Sequence, residues 1–98
     1  MTTRKSNFLL TGGAIGNGAV MDVQISNGLI KAIAPKIAKS ADDQVIDFSG
    51  SIILPGLVDL HTHLREPGRE DAETVLSGSK AGAKGGFTAL SAMANTSP

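Results

Sequence analysis

The chain has 98 residues with nine basic side chains, nine acidic ones, two histidines and no cysteine. Zero formal charge provides no electrostatic footprint for nucleic acid or an anionic membrane, so the composition favours a small molecule as the ligand. Without cysteine there are no disulfides or thiolate ligands, which is consistent with a reducing cytoplasm, and any metal must be held by nitrogen and oxygen. The first apolar run stops at Thr11-Gly12-Gly13 and no window approaches the roughly 20 apolar residues of a membrane span. We therefore expect neither a signal peptide nor a transmembrane segment.

Residues 8–54 have the pattern of short strands broken by Gly, Asn and Asp. Val20–Ser26 alternates, and Asn27-Gly28 is typical of a tight hairpin turn, so a return strand is predicted over Leu29–Ile33. Gly12–Gly18 is predicted to be a glycine-rich loop without the spacing of a phosphate-binding motif. A polar loop is predicted over Lys36–Asp43, and a further strand over Val45–Leu54.

From Pro55 onward, reactive and apolar side chains alternate along the next segment. Because successive side chains of a strand point to opposite sides, the reactive ones are predicted to share one face: Asp59, His61, His63 and Arg65. Two histidines at this spacing have Cα atoms roughly 6.6 Å apart, so both rings can reach one divalent ion. An isolated His-x-His is more often ordinary half-buried polarity, but the flanking acid and arginine on a strand expected to face a packed interior favour a metal site.

After this segment the apolar period becomes helical, and a helix is predicted over Glu70–Lys84 with Asp71 as its N-cap. Gly85-Gly86 should end it, and Phe87–Met93 should form the next strand, parallel to the first. The histidine segment and Asn95 would then lie at the carboxyl ends of neighbouring strands, where barrel enzymes assemble their sites.

Two blocks of the sequence resemble a known family. PGLVDLHTHLREPG at residues 55–68 is similar to the first metal-binding strand of the amidohydrolase superfamily, specifically that of the dihydroorotases. GGFTALSAMANTSP at residues 85–98 resembles the second barrel strand of that family, with its asparagine near the carboxyl end. Ala94 departs from the proline that many members have there, which frees the backbone φ before Asn95.

The resemblance implies an α/β fold: the start of a (β/α)₈ barrel of the metal-dependent hydrolases, preceded by a small β-sandwich segment. Residues 1–54 would belong to the sandwich and residues 55–98 to the first strand, helix and strand of the barrel. A complete barrel needs about 250 residues, so we expect the chain to be an amino-terminal fragment that is inactive by itself.

The activity implied is that of dihydroorotase, the zinc-dependent reversible hydrolysis of dihydroorotate to N-carbamoyl-L-aspartate in pyrimidine biosynthesis. His61 and His63 would bind one or two zinc ions, and Arg65 and Asn95 would hold the substrate carboxylate together with His63. Asp59 would be a structural acid, while the general base and the remaining ligands would lie downstream. A zinc-type ion would lower the pKa of a bound water and polarise the amide carbonyl.

Two alternatives stay open at this stage. An allantoinase-like or hydantoinase-like enzyme would share the metal site, but its substrate lacks the same carboxylate, so Arg65 with Asn95 favours dihydroorotase. A non-catalytic dihydroorotase-like subunit could instead hold aspartate transcarbamoylase, although both histidines are intact. A homo-oligomer is also compatible with the resemblance, and we expect no nucleic-acid partner.

Overall fold

The computed structural model describes residues 6–97. The chain divides into two compact units, one ending at Leu54 and one beginning at Pro55. Both contain extended strands, and the second also contains a helix, so the chain is α/β. No helix in the described part of the chain has the length and hydrophobicity needed to span a lipid bilayer.

The first unit is a mixed four-stranded sheet. Its strands are β1 (Asn7–Ala14), β2 (Val20–Ser26), β3 (Leu29–Ala34) and β4 (Gln44–Asp47), in the order β3-β2-β1-β4. β2 pairs antiparallel with both neighbours, whereas β4 pairs parallel with β1. The predicted hairpin between β2 and β3 is confirmed: Ser26 pairs with Leu29, and the two intervening residues have positive φ, 50° at Asn27 and 78° at Gly28. This is the backbone that a two-residue hairpin of type I′ requires.

Buried polar side chains connect β2 to the predicted polar loop, which is confirmed as the connection between β3 and β4. Asp22 accepts the amides of Gly12 at 3.0 Å and Ile37 at 2.9 Å. Gln24 donates from Nε2 to the Asp43 carboxylate at 2.9 Å. The side chains of Asp22, Gln24 and Asp43 are buried, and these hydrogen bonds replace the ones that the groups would make to water.

Two strand predictions in this unit were wrong. Gly12 and Gly13 belong to β1 and not to a loop, because β1 continues through a register shift between Leu10 and Gly13 before it ends at Ala14. β4 ends at Asp47 and does not run to Leu54. The carboxylate of Asp47 accepts both the amide and the hydroxyl of Ser49, and this local turn competes with continued strand pairing.

The second unit is one strand, one helix and a second strand. β5 (Leu57–Thr62) and β6 (Phe87–Ala92) form a parallel pair, as predicted, and α1 (Val75–Lys84) connects them. Gly78 is the only buried residue of the helix, and a Cβ there would lie 2.7 Å from Cδ2 of Leu64. The small residue therefore lets the helix backbone approach the segment that follows β5.

The predicted helix start at Glu70 was wrong. The helix begins at Val75 with Thr74 as N-cap. In a capping box, the Thr74 side chain accepts the Ser77 amide, and the Ser77 side chain accepts the Thr74 amide. Asp71 does not cap the helix, because its carboxylate pairs with Arg69 at 3.0 Å. The end was correctly predicted: Gly85 is the C-cap.

Candidate metal and carboxylate site

The two histidines lie at the carboxyl end of β5. His61 is within the strand, and His63 follows its last residue. The centroids of the two rings are 5.1 Å apart, with 64° between the ring planes. The two rings are therefore neighbours, and their nitrogens are donors of the type that would hold a zinc-type ion.

His63 is oriented by Asn95, which follows β6. Its Nδ1 lies 2.9 Å from Oδ1 of Asn95. An amide oxygen only accepts, so this contact suits the neutral tautomer that donates from Nδ1, in which the Nε2 lone pair is available for a metal. The topology thus brings together two of the residues that the sequence proposed for the site.

The side chain of Asp59 forms hydrogen bonds within its own strand. Its carboxylate accepts the amide of His61 at 3.0 Å and the hydroxyl of Thr62 at 2.8 Å. The bond from the His61 amide, followed by that from Thr62, holds the pKa of Asp59 below its ordinary value of 3.8. Asp59 is therefore ionised near neutral pH and bound to the backbone that carries the first histidine.

Arg65 lies beyond the strand, and its backbone adopts the left-handed region with φ of 64°. The prediction that one strand face extends to Arg65 was therefore wrong, since the two-residue alternation ends with β5 at Thr62, before both His63 and Arg65. The expectation that this face points into a packed interior was also wrong within this chain, because both His61 and Arg65 are exposed.

Arg65 and Asn95 nevertheless line the same cleft. It has a volume of about 150 Å³ and lies between the segments that follow β5 and β6. The amide of Ser97 donates to the carbonyl of Pro67 at 2.9 Å, which joins the two segments. The lining residues are Arg65, Pro67, Gly68, Arg69, Asn95, Thr96 and Ser97. Because the guanidinium of Arg69 is paired with the Asp71 carboxylate, Arg65 and Asn95 are the lining residues whose side chains have donors that suit a ligand carboxylate.

One contact in this region has no signal in the sequence. Oε1 of Glu66 accepts the amide of Val75, the first residue of α1, at 2.7 Å. A carboxylate nine positions before a helix matches no local capping pattern, so only the folded loop shows it.

A comparison with known proteins identifies the family of this chain. The model of the dihydro-orotase-like family matches residues 50–98, which include the histidines and the cleft. The chain belongs to the dihydroorotase-like family. The resemblance to the dihydroorotases that was seen in the sequence is thereby confirmed.

Curated relatives of this dihydroorotase-like chain carry the name dihydroorotase. The protein from Leifsonia xyli is 50% identical over 91 residues, covering 93% of this chain and 20% of the relative. That from Streptomyces coelicolor is 47% identical over 93 residues, 95% of this chain and 22% of the relative. That from Mycobacterium tuberculosis is 54% identical over 83 residues, 85% of this chain and 19% of the relative. The chain spans about a fifth of the length of the curated relatives it matches.

Proposed function

We propose that this chain forms part of a dihydroorotase, which reversibly hydrolyses dihydroorotate to N-carbamoyl-L-aspartate in pyrimidine biosynthesis, in the cytoplasm. The observation that carries the proposal is the pair of imidazoles beside a cleft that contains an arginine, in a family match that covers both. The activity is that of the full-length protein, because this chain spans about a fifth of its relatives.

The same proposal extends the fold. β5, α1 and β6 would be the first strand, helix and second strand of a (β/α)₈ barrel, and residues 1–54 would belong to a small β-sandwich domain. The exposed apolar side chains of β5 support this extension. Leu60 is 76% exposed and Val58 57%, and strands of a closed barrel are covered on both faces.

His61 and His63 would hold the metal, for which we propose zinc, with one or two ions per subunit. Their nitrogen donors fit a zinc-type ion, but a catalytic zinc usually has three protein ligands. Within residues 6–97 no group of three or more His, Cys, Asp or Glu side chains could hold a metal. The remaining ligands and the general base are therefore assigned to the rest of the full-length protein. When bound, the ion supplies a Lewis acid that polarises the substrate carbonyl and makes water more acidic.

The residues of this chain would bind and orient the substrate. Arg65 offers a planar fork of N–H donors that can bind a carboxylate through both oxygens. Asn95 uses Oδ1 to orient His63, and its Nδ2 amide remains a donor for the same carboxylate. His63 would thus contact the substrate from beside Asn95, to which it is hydrogen-bonded, and Arg65 would bind the carboxylate in the cleft.

The test is metal analysis and dihydroorotate hydrolysis by the full-length protein and a His61→Ala, His63→Ala double variant. We expect the variant to lose bound metal and at least about a thousandfold in turnover, because both effects depend on the same two ligands. Lys80→Ala, which changes an exposed side chain of α1, is the matched control and should keep both. Unchanged metal stoichiometry in a folded double variant would contradict the assignment of the ligands. Wild-type protein that opens hydantoin or allantoin but not dihydroorotate would contradict the substrate.

A further inference from the structure

Glu66 connects the loop that follows β5 to the amino-terminal end of α1. Thr74 and Ser77 cap the helix locally: the Thr74 side chain accepts the Ser77 amide, and the Ser77 side chain accepts the Thr74 amide. This capping box does not reach the amide of Val75, which is one of the free donors of the first turn. The Glu66 carboxylate supplies that missing acceptor at 2.7 Å.

The neighbouring residue, Arg65, has a backbone conformation that its own sequence does not favour. A φ of 64° lies in the left-handed region, which is costly for a residue with a long side chain. Such a conformation persists only where surrounding contacts hold it. The carbonyl of Arg65 accepts the amide of Arg69 at 2.8 Å, which closes the loop on one side. The Glu66 bond to Val75 anchors the loop on the other side, directly after Arg65.

We propose that Glu66 is a positioning residue that fixes Arg65 for the carboxylate of the substrate, an inference that rests on the proposed function. The hydrogen bond joins the loop to a ten-residue helix, so the guanidinium starts from an anchored backbone. Without that bond Arg65 samples orientations in which its fork does not match a carboxylate, and substrate binding weakens. The histidines are positioned by β5 and Asn95, so metal binding does not depend on Glu66.

The experiment is steady-state kinetics on the full-length protein with three variants. Glu66→Ala removes the acceptor, and Glu66→Gln keeps an acceptor oxygen without the charge. Lys80→Ala is the control, because it changes an exposed side chain of α1 that does not line the cleft. We expect Glu66→Ala to raise KM for dihydroorotate about five- to tenfold, the effect of one lost hydrogen bond, with kcat within about twofold and bound metal unchanged. Glu66→Gln and Lys80→Ala should stay within about twofold of wild type.

Competitive inhibitors separate positioning of Arg65 from a general deformation of the site. Orotate has the ring carboxylate and uracil lacks it, so Glu66→Ala should raise the inhibition constant of orotate together with KM and leave that of uracil unchanged. An equal rise for uracil, an equal loss in Lys80→Ala or Glu66→Gln, or loss of metal together with kcat would each overturn the inference. So would a wild-type KM in Glu66→Ala. If wild-type protein does not hydrolyse dihydroorotate, the proposed function fails as well, whereas an active wild type with an unaffected Glu66→Ala overturns only the role of Glu66.

Discussion

The two units of this chain use their polar side chains in opposite ways. In the first unit the apolar residues Leu9 and Val23 are 2% and 4% exposed, and buried polar side chains lie among the same strands. In the second unit, within residues 55–97, the only buried residue is Gly78. There the polar groups of the candidate site are accessible, and so are many apolar side chains.

The difference shows that burial of a polar group does not by itself indicate chemistry. Asp22, Gln24 and Asp43 are all buried, yet each has hydrogen-bond partners within its own unit. No buried side-chain nitrogen or oxygen in residues 6–97 lacks a partner. These groups are therefore accounted for by the sheet and its loop, whereas Arg65 and Asn95 line an open cleft and retain donors for a ligand.

The comparison predicts the largest effect for a change in the second unit that preserves charge. Arg65→Lys in the full-length protein should lower kcat/KM for dihydroorotate at least about tenfold, because an ammonium group cannot bind both carboxylate oxygens through a planar fork. Metal content should stay intact, since Arg65 is not among the proposed ligands. Kinetics and metal analysis check this, with Lys80→Arg on the exposed side of α1 as the control. Wild-type kinetics in Arg65→Lys would show that Arg65 does not bind the substrate. The cleft of the second unit would then lack its proposed carboxylate-binding residue.

A change in the first unit should affect stability and not catalysis. Asp22→Ala leaves the amides of Gly12 and Ile37 without their acceptor, and we expect a loss of about 1 kcal/mol in the free energy of unfolding of that unit. Hydrogen exchange of those two amides in the full-length protein measures it and should become about fivefold faster. Asp47→Ala, which removes an exposed local turn contact, is the control. Unchanged exchange together with a loss of activity would reverse the roles given to the two units.

The smallest effect concerns the pH dependence of the loop between β3 and β4. The Ser40 amide, followed by the Gln24 side chain, holds the pKa of Asp43 below its ordinary value of 3.8. Because the folded pKa is the lower one, the stabilisation is fully present above pH 3.8 and is lost as pH falls through the folded value. An NMR titration of the Asp43 carboxyl carbon should therefore give a midpoint below 3.8, and Gln24→Leu should raise it. A midpoint at or above 3.8 in wild-type protein would show that the buried contacts do not favour the charged form.

Local patterns predicted much of the secondary structure. Asn27-Gly28 specifies a turn whose two residues need positive φ, and the structure contains it. Gly85 ends the helix as predicted. The wrong predictions of element ends occur where a polar side chain has more than one possible hydrogen-bond partner nearby. Asp71 pairs with Arg69 instead of capping the helix, and Ser49 bonds to Asp47 where the strand was expected to continue.

What the sequence determined by itself is the chemistry available to this protein. His61 and His63 in one short motif, Arg65 two residues later and Asn95 after the next strand carry the family resemblance, because residue type and spacing are local properties of the chain. The assembly of these groups was decided by the tertiary structure. A parallel pairing of β5 with β6 brings His63 to 2.9 Å from Asn95, although 32 positions separate them. The left-handed backbone of Arg65 and the bond from Glu66 to α1 likewise depend on contacts across the fold, since neither follows from the preferences of neighbouring residues.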